Sequence, residues 1–303
     1  MQAEPHVAGA DLHIISARVA AAVDRLFGQY LADPGDGRDR LFAAMRHAGI
    51  GGGKRLRPLL TVAAARLFGM DEERAIRVGA AIEAIHVYSL IHDDLPCMDD
   101  DDLRRGKPTV HKAYDDATAV LAGDCFHDLA FEILSDVATH EDPFVRAELV
   151  LELARASGPH GMAGGQMLDL VAEGQTLDLG AISRLQQLKT GALIEYAVEA
   201  ACIMGRLEPR ARTPYRGYAR DLGLAFQIAD DLLDHKGDEA IAGKRLGKDV
   251  QAGKATFVSL MGEERARQQC AMLVAQAIEH LGDHGAEADL LRDIAHFVEE
   301  RDR

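Results

Sequence analysis

Apolar residues recur along almost the whole chain at the spacing of an α-helix. Ile82 and Ile85 are three positions apart, and Val87 and Ile91 are four apart, so each pair shares one helix face. No segment alternates apolar and polar residues convincingly enough to predict a β-strand. The chain is therefore predicted to be all-α, with helices expected at 11–31, 39–48, 55–69, 72–94, 116–138, 143–157, 178–205, 211–235, 255–261, 263–281 and 286–301.

Clusters of Gly, Pro and Asp separate these helices at 33–37, 51–53, 106–108 and 243–253. None of them resembles a long flexible linker, and no fixed repeat period is present. A chain of 303 residues has room for one large domain or two ordinary ones. The simplest interpretation is a single domain over 1–303, a bundle of about ten or more helices.

Composition supports helices, because aromatic residues reach only 5% and Trp is absent, while Ala, Leu, Arg and Glu abound. The formal net charge of -15 argues against nucleic acid as a partner, since phosphate backbones need a basic face. The four cysteines show no metal-binding spacing and indicate idle thiols in a reducing compartment: Cys97, Cys125, Cys202 and Cys270.

No stretch reaches the roughly 18 apolar, uncharged residues of a transmembrane helix, so membrane insertion is not expected. The first residues include Glu4, His6 and Asp11 and lack the basic and apolar regions of a signal peptide. These features predict a cytoplasmic protein.

One acidic phrase occurs twice, as residues 91–95 (Ile-His-Asp-Asp-Leu) and 228–232 (Ile-Ala-Asp-Asp-Leu), followed by Asp99 and Asp234 respectively. Both copies lie in apolar helical sequence, where an uncompensated carboxylate is costly. They predict two facing walls that share a polyvalent cation. The alternative, solvated surface charge, is preferred only for Asp100, Asp101 and Asp102.

In the second copy Gln227, Asp230 and Asp234 are spaced i, i+3, i+7 and share one helix face, with Asp231 about 100° away. Such carboxylates suit Mg²⁺, which takes one or two of them together with water and substrate phosphate.

In the first copy Pro96 prevents the helix from continuing undisturbed. The resulting kink is expected to bring Asp99 back to the ion held by Asp93. His86 and Ser89 lie seven and four residues before Asp93, so the three side chains share a face.

Two basic segments of the sequence complement the two acidic motifs. Residues 51–58 (Gly-Gly-Gly-Lys-Arg-Leu-Arg-Pro) form a glycine turn that enters a helix, a combination that attracts anions. Residues 104–108 begin with two arginines, each able to hold phosphate through a bidentate fork. A helix cap and ion pairs with residues 99–102 remain the structural alternatives. Together with the acidic walls, these phrases predict two phosphorylated groups, one bound through metal and one directly.

These motifs resemble the trans-isoprenyl diphosphate synthases, and most closely the bacterial enzymes that make the fifteen-carbon product. The similarity spans nearly the whole chain, at residues 52–58, 92–99, 104–109, 121–124, 161–166, 188–191, 226–234 and 247–249.

The resemblance implies an all-α bundle around a central cavity (the isoprenoid synthase type), usually a homodimer. It also implies the head-to-tail condensation of isopentenyl diphosphate with an allylic diphosphate, with three Mg²⁺ ions in the full complex and Mn²⁺ as a substitute. The implied metal ligands are Asp93, Asp94, Asp99, Asp230, Asp231 and Asp234. The implied catalytic residues are Asp93, Asp94, Lys189, Thr190, Gln227 and Asp230. The implied substrate-binding residues are Gly53, Lys54, Arg57, His86, Arg104, Arg105, Gln166, Lys189, Thr190, Gln227, Lys244 and Lys254.

Product length is expected to depend on Tyr88 and Ser89. An isoprene unit is about as long as one helical turn of about 5.4 Å, so these residues lie where a tail growing back from Asp93 would end. In the resembled family an aromatic residue there accompanies the fifteen-carbon product. A twenty-carbon product stays open, because residues 96–99 are also similar to that branch.

Three other functions were weighed against this one. A non-catalytic regulatory subunit would be expected to lose aspartates that this chain retains. A terpene cyclase would have little use for the basic phrase at 53–57. Head-to-head condensation ordinarily calls on a nicotinamide cofactor, for which no fingerprint is present.

Overall fold

The computed structural model describes residues 8–172, 175, 177–236 and 256–300, and within them it is almost entirely helical. The all-α prediction is confirmed. The α-helices are α1 (Ala8–Tyr30), α2 (Asp39–Gly49), α3 (Leu56–Leu67), α4 (Glu72–Asp93), α5 (Val110–Ala113), α6 (Asp116–Ser135), α7 (Pro143–Ser157), α8 (Met162–Ala172), α9 (Leu179–Gln186), α10 (Ala192–Met204), α11 (Thr213–Lys236), α12 (Phe257–Met261), α13 (Glu263–Glu279) and α14 (Asp289–Glu300).

Several helices begin at an aspartate that the sequence places just before the apolar pattern. Asp71, Asp115, Asp142 and Asp178 precede α4, α6, α7 and α9, and each side chain accepts a backbone N–H of the first turn. Such a cap satisfies an otherwise unpaired donor and contributes about 1 kcal/mol. The predicted starts of these helices are therefore close to those observed.

The centre of the bundle consists of α3, α4 and α10. Residues 78–85 of α4 are all buried, and so is α10 from Leu193 to Met204 apart from Glu195. A helix that is apolar on every side belongs in the interior. α4 packs against α3 and α6, and α10 packs against α3, α7 and α11. α4 ends at Asp93 and α10 follows a π-helical segment at residues 187–191, so this central layer carries both segments.

Among the described residues, the sequence-based assignment missed the short helix α5 and three further features. α8 was not predicted, because Gly161, Gly164 and Gly165 disfavour a helix. The single helix expected at 178–205 is interrupted by a π-helical segment at Gln187–Gly191, between α9 and α10. A small antiparallel hairpin, β1 (Leu103–Arg104) with β2 (Lys107–Pro108), was also unexpected.

Gly165 explains why α8 forms where it does. A Cβ at this position would lie 2.2 Å from the backbone nitrogen of Lys189, so the two backbones are in close contact. Tertiary packing against the π-helical segment thus outweighs the low helix propensity of glycine.

No helix among the described residues has both the length and the apolar character needed to cross a membrane.

Candidate active site

The chain folds back on itself where α4 ends. The Asp99 amide donates to the Asp93 carbonyl at 2.9 Å, and the Met98 amide donates to the Leu95 carbonyl at 2.9 Å. This is the turn that Pro96 was expected to cause. It brings the start and the end of the first acidic motif together.

The Asp93 carboxyl lies in an environment that disfavours its charge. Burial raises its pKa to about 6; Lys189 opposes this shift, while Asp99 and Asp94 add to it. A hard divalent cation is the partner that such crowded carboxylate oxygens fit. Among residues 8–172, 175, 177–236 and 256–300, no three acidic, His or Cys side chains are already arranged as a metal site.

Asp94 and Arg104 are partners in this structure. The Asp94 carboxylate is buried and accepts from Nε of Arg104 at 2.7 and 2.9 Å, with the second guanidinium nitrogen at 2.6 Å. Burial raises the Asp94 pKa, and the Arg104 hydrogen bond opposes this. The bidentate pair fixes hairpin β1–β2 against the end of α4. The expected roles of these residues in metal and phosphate binding remain predictions.

The second acidic motif lies on the C-terminal half of α11. Gln227, Asp230 and Asp234 are half-buried on one helix face, as their spacing predicted. Asp231 is engaged elsewhere, since its carboxylate accepts the Phe257 amide at 2.8 Å at the start of α12. It therefore joins α11 to α12.

The π-helical segment presents Lys189 and Thr190 between the two acidic motifs. Nζ of Lys189 lies 2.7 Å from a carboxylate oxygen of Asp169 on α8, and its charge opposes the rise in the Asp93 pKa. Asp169 was missed by sequence reasoning. Its position three residues after Gln166 was the available signal, because i and i+3 share a helix face. π-Helical insertions are frequent at functional sites, where they change the direction of side chains.

A cluster of arginines lies beside the glycine turn. Burial lowers the pKa of Arg57, and its Nε has no hydrogen-bond partner among the described residues. The Arg105 guanidinium lies against Gly53, where a Cβ would be 2.6 Å from it. Gly53 has φ 82°, a conformation that favours glycine. Excess buried positive charge of this kind suits a polyanion.

His86 faces this arginine cluster from α4. Burial lowers its pKa well below the usual value, and Arg57, Arg105, Arg104 and Arg55 lower it further. The imidazole is therefore neutral at physiological pH.

Aromatic rings fill the space one turn before Asp93. The Tyr88 ring meets His92 at 5.6 Å and His127 of α6 at 5.3 Å, both edge to face, and His127 lies 5.0 Å from Phe131. Ser89 donates its hydroxyl to the His86 carbonyl at 2.9 Å. Tyr88 is thus backed by two further rings.

A family model described as polyprenyl synthetase matches residues 38–294. This chain belongs to the polyprenyl synthetase family. It is 44% identical to a farnesyl diphosphate synthase of Escherichia coli K12 over 264 residues, which are 86% of this chain and 88% of that one. The apo crystal structure of an FPP/GFPP synthase from Zymomonas mobilis is 57% identical, with a TM-score of 0.87, covering 96% and 99% of the two chains.

A Helicobacter pylori geranyltransferase, complexed with magnesium and isoprenyl diphosphate, has a similar fold. The two chains are 29% identical with a TM-score of 0.79, over 98% and 97% of their lengths.

In this polyprenyl synthetase the charges of Asp94, Asp99, Arg104 and Lys189 all act on Asp93, so the end of α4, hairpin β1–β2 and the π-helical segment lie close together. Asp230 raises the pKa of Arg57 against the effect of burial, which relates the second acidic motif to the basic cluster. Lys54 is exposed, with Nζ 5.8 Å from the centre of the Phe297 ring. Lys244 and Lys254 lie outside the described residues.

Proposed function

We propose that this polyprenyl synthetase is a farnesyl diphosphate synthase. It would condense isopentenyl diphosphate with dimethylallyl or geranyl diphosphate, head to tail, releasing pyrophosphate and a proton. The observation that carries this proposal is the pairing of two acidic motifs with a separate, partly buried arginine cluster. One diphosphate then binds through metal, and the other binds guanidinium groups directly.

The allylic diphosphate is assigned to the acidic side. Asp93, Asp99 and Asp230 would hold Mg²⁺, with Asp94, Asp231 and Asp234 as the remaining predicted ligands and Mn²⁺ as a possible substitute. When bound, the metal supplies Lewis-acid stabilisation of the leaving pyrophosphate. The donor set fits this ion, because it consists of carboxylate oxygens and because burial and the neighbouring acids disfavour the negative charge of Asp93. The magnesium complex of the Helicobacter pylori relative supports the same assignment.

The reacting carbon is assigned to the π-helical segment and α11. Lys189 would orient the allylic diphosphate, because its ammonium already lies between Asp169 and the Asp93 side of the site. The Thr190 hydroxyl and the Gln227 and Gln166 amide oxygens would face the allylic cation formed on ionisation. Fixed dipoles stabilise such a charge without reorganising.

Isopentenyl diphosphate is assigned to Gly53, Lys54, Arg57, His86 and Arg105. The neutral His86 imidazole can donate one hydrogen bond to a phosphate oxygen, while Arg57 and Arg105 supply charge. The C3–C4 double bond attacks the allylic cation. Loss of a proton, with the released pyrophosphate as base, then restores an alkene.

The fifteen-carbon product is proposed because Tyr88 lies behind Asp93, where its ring would limit the growth of the tail. Its ring contacts His127, which in turn contacts Phe131, and these further rings support that role. A geranylgeranyl product is the alternative, and it requires those rings to yield one more helical turn of space.

A homodimer is proposed for the assembly. α6 and α7 pack together, and their outer sides and the intervening turn expose Leu121, Val137, Phe144 and Leu151. Exposed apolar side chains on neighbouring elements are typical of an interface. A cytoplasmic location is proposed as well, since all four cysteines are free thiols.

One assay tests the proposal. Purified protein is incubated with Mg²⁺, isopentenyl diphosphate and geranyl diphosphate, and released pyrophosphate and product length are measured. We expect turnover and a fifteen-carbon product. A twenty-carbon product would instead support the geranylgeranyl alternative, and no turnover with any allylic primer would support a non-catalytic partner subunit.

A further inference from the structure

The buried carboxylate of Glu83 lies among the arginines beside the glycine turn. Glu83 is on α4, three residues before His86, and is 2% exposed. An isolated buried carboxylate costs several kcal/mol unless charge and hydrogen bonds compensate it. Its partners therefore indicate what it is for.

The first partner is Arg55. One guanidinium nitrogen of Arg55 donates to Glu83 at 2.9 Å, and the other donates to Asp24 at 2.7 Å and to the Gly49 carbonyl. Arg55 precedes α3 and has φ 47°, an uncommon conformation for a residue with a side chain. These contacts hold the glycine turn against α1 and α4.

The other partners are Arg57 and Arg105. Burial lowers the pKa of each guanidinium, and in both cases the charge of Glu83 is the strongest influence in the opposite direction. Arg105 further lowers the pKa of Arg57, since the two positive charges repel each other. The Arg105 guanidinium lies against Gly53, in the turn that the Arg55–Glu83 pair holds, and Arg57 follows two residues after Arg55, so Glu83 lies in one cluster with both arginines and acts as their shared counter-charge.

From this arrangement we infer that Glu83 is a positioning residue, whose negative charge keeps Arg57 and Arg105 assembled as a preformed anion cradle before the metal-free diphosphate arrives. This rests on the proposed function, in which that diphosphate belongs to isopentenyl diphosphate. Without Glu83 the long arginine side chains would separate towards solvent. Arg105 in particular lies on the exposed hairpin β1–β2. Substrate binding would then have to bring the two arginines back together, and the free energy that this costs would reduce the affinity for the substrate.

Asp24 provides a matched control. It is the second carboxylate on Arg55, but it is more exposed and also accepts the Gly51 amide at 3.0 Å. Its charge is not among those that most strongly shift the pKa of Arg57 or Arg105. Glu83→Gln and Asp24→Asn therefore each remove one charge from Arg55, whereas only the first removes the counter-charge of the cradle.

Calorimetric titration of isopentenyl diphosphate into the protein, without allylic substrate, distinguishes a role of Glu83 in the anion cradle from a role in the Arg55 clamp alone. We expect Glu83→Gln to weaken binding by about tenfold or more and Asp24→Asn by less than about threefold, because only the former loses preorganisation. In steady-state assays the KM for isopentenyl diphosphate should rise in Glu83→Gln, while the KM for geranyl diphosphate and kcat change by less than about threefold.

Glu83→Asp, which keeps the charge, should lie closer to the wild type than Glu83→Gln, and it serves as the test if the glutamine variant does not fold. Binding by Glu83→Gln that equals or exceeds the wild type would overturn the inference. Equal weakening in Asp24→Asn would also overturn it, since the effect would then belong to the Arg55 clamp. If the wild type itself bound no isopentenyl diphosphate, the proposed function would fail instead.

Discussion

The carboxylates of the two acidic motifs differ in what surrounds them. Asp93 is half-buried beside a lysine and other acids, Asp94 is bound by Arg104, and Asp231 accepts the Phe257 amide. Spacing alone made the members of each motif look equivalent. Their partners show that Asp94 and Asp231 hold the structure together, whereas Asp93, whose charge burial disfavours, is the one proposed to bind the metal directly.

Replacing Asp93 by Asn tests that distinction. We expect kcat to fall by about 10²–10³-fold, because the variant loses charge that stabilises the transition state through metal. Asp100→Asn is the control, since Asp100 is exposed and its φ of 47° suits Asn. Its kcat should stay within about threefold of the wild type. Equal losses in the two variants would contradict the assignment.

Tyr88 is the residue at which product length can be changed. Tyr88→Ala should shift products from fifteen carbons towards twenty or more, because it opens about one helical turn of space. Tyr88→Phe keeps the ring and should keep the fifteen-carbon product. Extracted products are sized by chromatography. An unchanged profile in Tyr88→Ala would mean that His127 and Phe131 end the cavity by themselves.

At the scale of elements, the π-helical segment and α8 together position Lys189, which is proposed to be catalytic. Lys189 contacts α8 twice, through its ammonium with Asp169 and through its backbone with Gly165. A larger residue in place of Gly165 would therefore displace the backbone of Lys189, and Thr190 with it. Neither contact follows from helical periodicity, because each joins residues far apart in sequence.

Gly165→Ala tests this coupling. The added Cβ would meet backbone atoms, so we expect a loss of about 1–3 kcal/mol in the free energy of unfolding and a higher KM for geranyl diphosphate. Gly28→Ala in α1 is the control, because nothing lies within 4 Å of its Cβ. That change should stabilise the protein by about 0.5–1 kcal/mol. Urea unfolding measures the free energy of unfolding of both variants. A Gly165→Ala variant as stable as the wild type would contradict the close contact between the two backbones.

At the scale of the molecule, the exposed side of α6 and α7 is the candidate contact between two copies of the chain. Leu121→Glu places a charge in this surface and should lower the molar mass in solution from dimer to monomer, because burying an unpaired charge is costly. Ile14→Glu on α1 is the control, since Ile14 is equally exposed but lies on another element. Light scattering after size-exclusion chromatography compares them. A dimer that persists in Leu121→Glu would place the interface elsewhere.

The sequence by itself determined which residues form most helices, where the two acidic motifs and two basic phrases lie, and which side chains of each motif share a face. Those features depend on neighbours within two helical turns, so local spacing and capping residues suffice to predict them. The motif pattern also sufficed to predict the family.

Only the tertiary structure decided the rest. It placed Asp169 on Lys189, Glu83 among the arginines, Asp94 on Arg104, and α8 against the π-helical segment. Each of these contacts forms because burial of the central helices places segments that are distant in sequence next to one another. A buried charge is then stabilised by an oppositely charged or polar group of the neighbouring segment. The two acidic motifs could be recognised from the sequence. The different surroundings of the aspartates within each motif depended on these long-range partners.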